Sequence, residues 1–435
     1  MRKPTRRARI LGCGVMVGAL AVSLVAGCGS KAAQTSSADG AGVTNSGTGT
    51  VPGAPSFVLP AGLKGAAPGH VNFVVPPIFN PVLLADGAGY FATVAKQFGT
   101  KISFDISPSG GPPEEAQFLG GSDQWMGIGL PSSLPAMIQG KDQLAVFNLG
   151  LSLGTSVLGA QRYEATKGTN IAAYGDSGIP WCDVTPIGTA TTIIRLVAAK
   201  YHITRVQGNL ISVGTGAAEL PALKSGRCAI IAGDGASAVT SHAAYVVSNT
   251  VEPGPTIALA GEQTGIAVFT SRTFAQKYPE LTQAMTDALV KALSVIQTNR
   301  QNPELLYSLL PSILTKFLPY ATFAAGLQLS PTLYDPKYND GTYPLQEIND
   351  SWLLNEAAGV IPIGSAMDPS QNFANKFAIQ AYSDLGITRP AGAQNGPAEL
   401  PTAVGMPSLE MANAFAALTG RAVPANDGPS PLGKP

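Results

Sequence analysis

Short apolar runs alternate with helically spaced ones along most of this chain. Residues 70–75, 101–106, 125–130 and 144–149 have the length and the β-branched and aromatic content of strands. Between them, residues 82–98 carry Leu83, Leu84, Tyr90, Phe91 and Val94 at helical spacing, and 114–119 and 134–139 read as shorter helices. A second series follows. Pro186 and Ile187 close a strand, 189–201 is a helix opened by hydroxyl residues suited to capping, and 210–213 and 228–232 are strands. Residues 217–224 and 236–244 are helical. Beyond them lie a strand at 265–270 and a long amphipathic helix within 274–299, with Leu281, Met285, Leu289, Leu293 and Ile296 on one face. The chain is then mostly helical to about residue 385, and a last helix at 409–418 follows Ser408, a suitable N-cap. Strands and helices joined by short Gly/Pro connections predict an α/β protein with largely parallel sheets.

The first residues follow a different pattern. Arg2, Lys3, Arg6, Arg7 and Arg9 precede an apolar stretch from Ile10 to Gly27, and Cys28 follows Ala26-Gly27. Charge, apolar run and small residues in that order are the grammar of an export signal. The cysteine after Ala-Gly resembles a bacterial lipobox. That resemblance implies cleavage after residue 27, acylation of Cys28, and tethering to the outer face of the cell membrane. An uncleaved anchor is the alternative, since about eighteen apolar residues just span a bilayer. Residues 28–69, rich in Ser, Gly, Ala and Thr, are expected to be a flexible tether.

Composition narrows the function. The full chain has 27 basic and 27 acidic residues. Removal of the five basic residues of the signal leaves 22 against 27, a net charge of −5, with no basic excess to hold nucleic acid. Three histidines without ligand spacing predict no metal, and no cofactor motif is present. Beyond Cys13 and Cys28, the pair Cys182 and Cys228 predicts a disulfide in an exported chain; two separate buried thiols are the alternative.

Over residues 70 to about 385 the order of motifs resembles the type-2 periplasmic substrate-binding proteins of ABC importers, in the sulfonate, nitrate and thiamine-precursor group. Ala85-Asp86-Gly87-Ala88-Gly89-Tyr90-Phe91 resembles that group's first helix, and Ser109-Gly110-Gly111 its Gly-rich loop. Gly121-Ser122-Asp123-Gln124-Trp125 resembles the turn that follows, 220–227 its second copy, and Phe274 to Glu280 the start of the long helix. The resemblance implies a two-lobed α/β fold of periplasmic binding protein type 2 with a central ligand cleft. It implies a first lobe of residues 70–168 and 256–387 and a second of 169–255, while residues 388–435 read from their composition as a Pro/Gly-rich extension with one helix. It also implies a monomer that delivers a small-molecule solute to an ABC permease and its ATPase.

Open α/β sheets bind ligands beyond the C-terminal ends of their strands. That rule selects Phe79, Asn80, Ser109, Gly110, Ser132 and Ser133 in the first lobe, and Gly188, Thr189, Ala190, Thr191, Gly214, Thr215 and Asp234 in the second. A helix starting at Thr189 offers free N–H groups to an anion, although plain capping explains the same threonines. Trp181, near the expected hinge, is a candidate to cover the ligand, while Trp125 is expected in the core. Asp183 and Asp234 could meet a cation or simply finish strands. Gly150-Leu151-Ser152-Leu153-Gly154 also fits a nucleophile elbow, with His202 or His242 downstream. A lipoprotein hydrolase using Ser152, or a ligand-sensing lipoprotein, therefore stands as the alternative to solute binding.

Overall fold

The computed structural model describes residues 53–424 apart from 108–110, 177, 185–187, 207–208, 215–217 and 393–395. The export signal, Cys28 and the first part of the tether lie outside the described residues, as do Ser109, Gly110 and Thr215. In chain order the strands are β1 (His70–Val75), β2 (Lys101–Ile106), β3 (Trp125–Gly129), β4 (Leu144–Leu151), β5 (Ser156–Ala160), β6 (Trp181–Asp183), β7 (Ile211–Ser212), β8 (Ile230–Gly233), β9 (Ala244–Ser248) and β10 (Thr264–Thr270). They form two five-stranded sheets, β2-β1-β3-β10-β4 and β7-β6-β8-β5-β9.

Each sheet is the core of one lobe, and both follow one plan. In the first, β1 runs parallel to β2 and β3, while β10 is antiparallel to β3 and β4. In the second, β6 is parallel to β7 and β8, while β5 is antiparallel to β8 and β9. The expectation of largely parallel sheets is corrected by this one reversed strand per sheet. The reversed strand is the one that arrives from the other lobe. Entering at the C-terminal edge, it has to run back against its neighbours.

The lobe boundaries also move. The chain crosses at residues 152–155 and returns over 249–263. Residues 156–168, expected in the first lobe, open the second, because β5 pairs with β8 and β9. The two crossings are bonded to each other. Leu153 N–H donates to the Thr250 carbonyl at 3.1 Å, and the Thr250 hydroxyl donates to the Thr155 carbonyl. A Cβ at Gly265 would lie 2.3 Å from the Ser152 carbonyl oxygen, so only glycine allows the crossings to approach this closely.

The expected helix over 82–98 is two helices, Pro81–Gly87 and Tyr90–Phe98, broken where Gly89 takes φ +80°. The stretch 274–299 likewise divides into Arg272–Lys277 and Pro279–Thr298, because Pro279 lacks the N–H needed to continue a helix. The long helix buries Leu281, Met285, Leu289 and Leu293, and also Thr282 and Thr286, since helices Pro81–Gly87, Tyr90–Phe98 and Asn375–Asp384 pack around it.

The start of the folded part corrects the sequence reading, while the last helix and its Ser408 cap stand as expected. Residues 54–68, expected to be loose tether, lie on the first lobe. Phe57 packs with its ring tilted against that of Tyr90 at 5.1 Å, Leu59 is buried, and the Leu63 and Pro68 carbonyls accept from Gln97 and Thr100 at 2.7 and 2.6 Å. The extension after 388 supplies the helix Leu409–Thr419, which sends Met411, Ala414 and Phe415 into the second lobe's core, while Ser408 Oγ accepts from Met411 N–H at 3.2 Å. The helix Leu345–Ala357 spans both lobes, with Ile348 and Trp352 in one core and Leu353 and Leu354 in the other. Cys182 and Cys228 form a disulfide with Cα atoms 5.8 Å apart. Among the described residues no helix is long and apolar enough to cross a membrane.

Candidate functional site

Because β1, β2 and β3 run in parallel, as do β6, β7 and β8, each lobe brings its strand-end loops to one edge. Those two edges face each other across a cavity of about 420 Å³. The first lobe contributes 76–80 after β1, the start of helix Gly111–Leu119 after β2, and Gly129 and Ser132 after β3. The second contributes Val184 and 188–190 after β6 and 233–236 after β8. The crossings form the back wall with Gly150, Ser152 to Ser156, Val251, Gly265 and Ile266. Residues of 318–334 close the fourth side.

Seven of the residues selected by the strand-end rule meet around this cavity: Phe79, Asn80, Ser132, Gly188, Thr189, Ala190 and Asp234. Asn80 is held by two roles at once. Its Oδ1 caps helix Pro81–Gly87 by accepting from Val82 and Leu83 N–H at 2.9 and 3.1 Å, and its Nδ2 donates to the Ile78 carbonyl at 2.9 Å. Asp234 likewise caps the helix Gly235–Thr240, accepting from Ala236 N–H at 3.0 Å.

Four selected residues stand elsewhere. Trp181 does not face the cavity. It is 1% exposed in the second lobe's core, and its indole N–H donates to the Tyr174 carbonyl at 2.9 Å. Thr191 is buried, and its hydroxyl donates to Asp183 Oδ2 at 3.2 Å. The other oxygen of Asp183 accepts from Ser212 at 2.5 Å, so this carboxylate is engaged inside the lobe and not offered to a cation. Ser133 is fully buried beneath its helix, and Gly214 donates to the Val184 carbonyl at 3.0 Å without lining the cavity. Trp125 packs on Phe73 and Phe274 in the first core, as expected.

Ser152 lines the cavity but is not an elbow nucleophile. The strand β5 follows it, where an elbow needs a helix. Its hydroxyl accepts from Gly154 N–H at 3.1 Å, and among the described residues no histidine is bonded to it. His202 and His242 are both exposed, in turns with φ of 57° and 52°.

The sequence reading missed two parts of the site. The first is an aromatic and aliphatic cover. Phe323, on helix Tyr320–Leu329, packs edge-on against Phe79 at 4.9 Å, and Tyr334 at 5.7 Å donates its hydroxyl to the Phe79 carbonyl at 3.0 Å. This cover also reaches the second lobe. Thr322 and Thr240 hydroxyls are 3.3 Å apart, and Thr332 N–H donates to Glu252 at 3.1 Å. The near-continuous apolar run YATFAAGLQL, with little amphipathicity, was the available signal. The second is Glu114, 1% exposed, whose Oε1 has no hydrogen-bond partner. Burial pushes its carboxyl up to about 8. The neighbouring Asp105 charge adds to that and the Ser107 hydroxyl opposes it.

No protein-family model and no curated protein sequence matches the chain. Solved structures do. A protein of Bordetella bronchiseptica RB50 superposes with a TM-score of 0.60 at 20% identity, over 73% of this chain and 98% of its own. The periplasmic nitrate-binding protein NrtA of Synechocystis PCC 6803 gives 0.59 at 13% identity, over 80% and 97%. A periplasmic sulfonate-binding protein SsuA of Methylobacillus flagellatus KT gives 0.54 at 14%, over 75% and 98%. The chain therefore has the two-lobed fold of periplasmic binding proteins.

Proposed function

We propose that this chain is an extracytoplasmic solute-binding protein, held to the outer face of the cell membrane by lipid on Cys28. It takes up a small organic solute between its lobes and delivers it, as a monomer, to the permease of an ABC importer and its ATPase. The observation that carries the reading is the cavity of about 420 Å³ between two strand-end edges. That is the place where open α/β sheets take ligands. The nitrate- and sulfonate-binding proteins that share the fold support solute capture as a class of function. The hinge of two bonded crossings lets a solute bias the lobes between arrangements that a permease can tell apart.

A thermal-shift screen tests capture. The chain from residue 29 onward is melted with sulfonates, carboxylates, nucleobases, sugars, amines and uncharged aromatics. A ligand at a hundred times its dissociation constant adds about 2.7 kcal/mol and raises the melting temperature. Thr189→Trp, which fills the cavity from the second lobe, is expected to remove the shift and leave the unliganded melting temperature within a few degrees. Absence of any shift across all classes would sink the proposal.

Anchoring has its own test. Each buried methylene of an acyl chain contributes about 0.8 kcal/mol, so two or more chains hold a protein firmly. Labelled palmitate is expected on the wild-type protein. Cys28→Ser is expected to lose the label and leave the membrane fraction. Label retained by Cys28→Ser would place the lipid elsewhere and end this part of the reading.

A further inference from the structure

The cavity wall is unusual in its charge. None of its described lining residues is Lys, Arg or His. Phe79, Phe323 and Tyr334 form one apolar side, and Leu149, Ile266 and Leu333 lie on the wall with them. A charged solute entering such a wall gives up its hydration without meeting a counter-ion. The N-terminus of helix Thr189–Lys200 offers an anion only about half a unit of positive charge.

Two acids border the space. Asp234 is exposed and committed to capping its helix through Ala236 and Ser237. Glu114 is different. It is almost wholly buried, it lines the cavity, and its Oε1 is without a partner. An orphaned buried oxygen is costly and is normally satisfied by protein, water or ligand. With no cation beside it and the negative Asp105 nearby, a carboxyl in this position is held uncharged. It then presents one O–H donor on the unpartnered oxygen, while the oxygen that takes the Ser107 hydroxyl keeps one lone pair as an acceptor. That pair is the complement of a carboxamide, not of a carboxylate or an ammonium.

Taking the cleft as a solute site, we infer that it admits an uncharged, largely apolar molecule whose carboxamide-like polar group pairs with Glu114. The apolar body would lie against Phe79, Phe323 and Tyr334. This departs from the anions that name the nitrate- and sulfonate-binding structures of the same fold.

Three probes with one body decide the class: 1-naphthaleneacetamide, 1-naphthaleneacetate and 1-naphthylmethylamine, titrated at pH 7 by calorimetry into the chain from residue 29 onward. The amide is expected to bind roughly tenfold tighter than the acid or the amine. Glu114→Gln, which keeps a neutral donor and acceptor, should hold the amide within about threefold, while Glu114→Leu should lose roughly tenfold. Melting of both unliganded variants separates lost binding from lost folding. An acid or amine that binds as tightly as the amide, or an amide indifferent to Glu114→Leu, overturns the inference and leaves solute capture intact. If none of the three binds while a sugar or sulfonate does in the broader screen, the apolar class is wrong and capture stands. Silence in both screens removes both.

Discussion

Reducing the Cys182–Cys228 disulfide should lower the unfolding free energy of the second lobe by about 4 kcal/mol, the chain-entropy value for closing a loop of this length. The bond joins positions 46 apart, and the enclosed segment carries β6, helix Thr189–Lys200, β7 and helix Glu219–Ser225. A substantial part of the second lobe therefore lies within a single covalent loop, while β5, β8 and β9 lie outside it. Both cysteines are fully buried and pack among Leu158, Ala222, Leu223 and Ile231. Reduction thus releases the unfolded chain and also leaves two thiols where a compact bridge stood. The three tryptophans allow the lobes to be followed separately, because Trp181 sits in the second core and Trp125 and Trp352 in the first. In urea, Cys182→Ala/Cys228→Ala is expected to show an earlier transition in Trp181 emission than the wild type. Single-tryptophan variants retaining Trp125 should shift less. A midpoint unchanged by reduction and by the double substitution would show that the bond constrains nothing the folded lobe needs.

Much of the fold was readable because its strands announce themselves. The limits of β1 and β2 follow directly from HVNFVV before Pro76-Pro77 and KISFDI before Ser107-Pro108. The strand-end rule then brought seven of its positions to the cavity wall, since it depends only on where strands stop. What failed was pairing and facing. Residues 156–160 read as a strand, yet nothing in SVLGA says which sheet it joins. The helix expected over 236–244 ends short of Ala244, which opens β9, and the helix Pro253–Ala260 goes unannounced among its prolines, although proline is at home in a helix's first turn. Trp181 was placed near the ligand for its position along the chain, but the direction of its side chain is set by the pleat of β6, and that points it into the lobe. Glu114 escaped notice because an acid on a short helix is ordinarily solvated. Only the packing of that helix against β3 and the helix Leu130–Ile138 buries it. The cover formed by 318–334 comes from a segment far along the chain, and no local pattern ties it to a cleft between residues 76 and 236.

The protein should be most stable near pH 5 and lose stability as pH rises towards 9, with buried carboxyls such as Glu347 the cause. Glu347 is fully buried beside the hinge. Its Oε1 accepts from Asn148 on β4 at 2.9 Å and from Thr264 on β10 at 2.6 Å, while Oε2 has no partner. Burial pushes its carboxyl from 4.5 to about 8, with the Glu262 and Asp340 charges adding and the two hydrogen bonds opposing. Glu219 at about 8 and Asp287 at about 7 are raised by burial in the same direction. A group whose pKa is raised on folding binds its proton more tightly in the native state. Its contribution is complete below the unfolded value near 4.5 and drains away as pH passes through the folded value near 8. For Glu347 alone the span corresponds to up to about 5 kcal/mol. Glu347→Gln keeps the acceptor oxygen for Asn148 and Thr264 and has no proton to lose. It should match the wild type within about 1 kcal/mol at pH 5 and exceed it by several kcal/mol at pH 9. Paired melting curves across that range check the sign, since the two proteins should diverge with rising pH. Parallel curves would mean that Glu347 titrates in the folded protein as it does in the unfolded chain, as it would if the hinge opened to solvate it, and a wild-type melting temperature that climbs from pH 5 to 9 would contradict the argument for all three carboxyls.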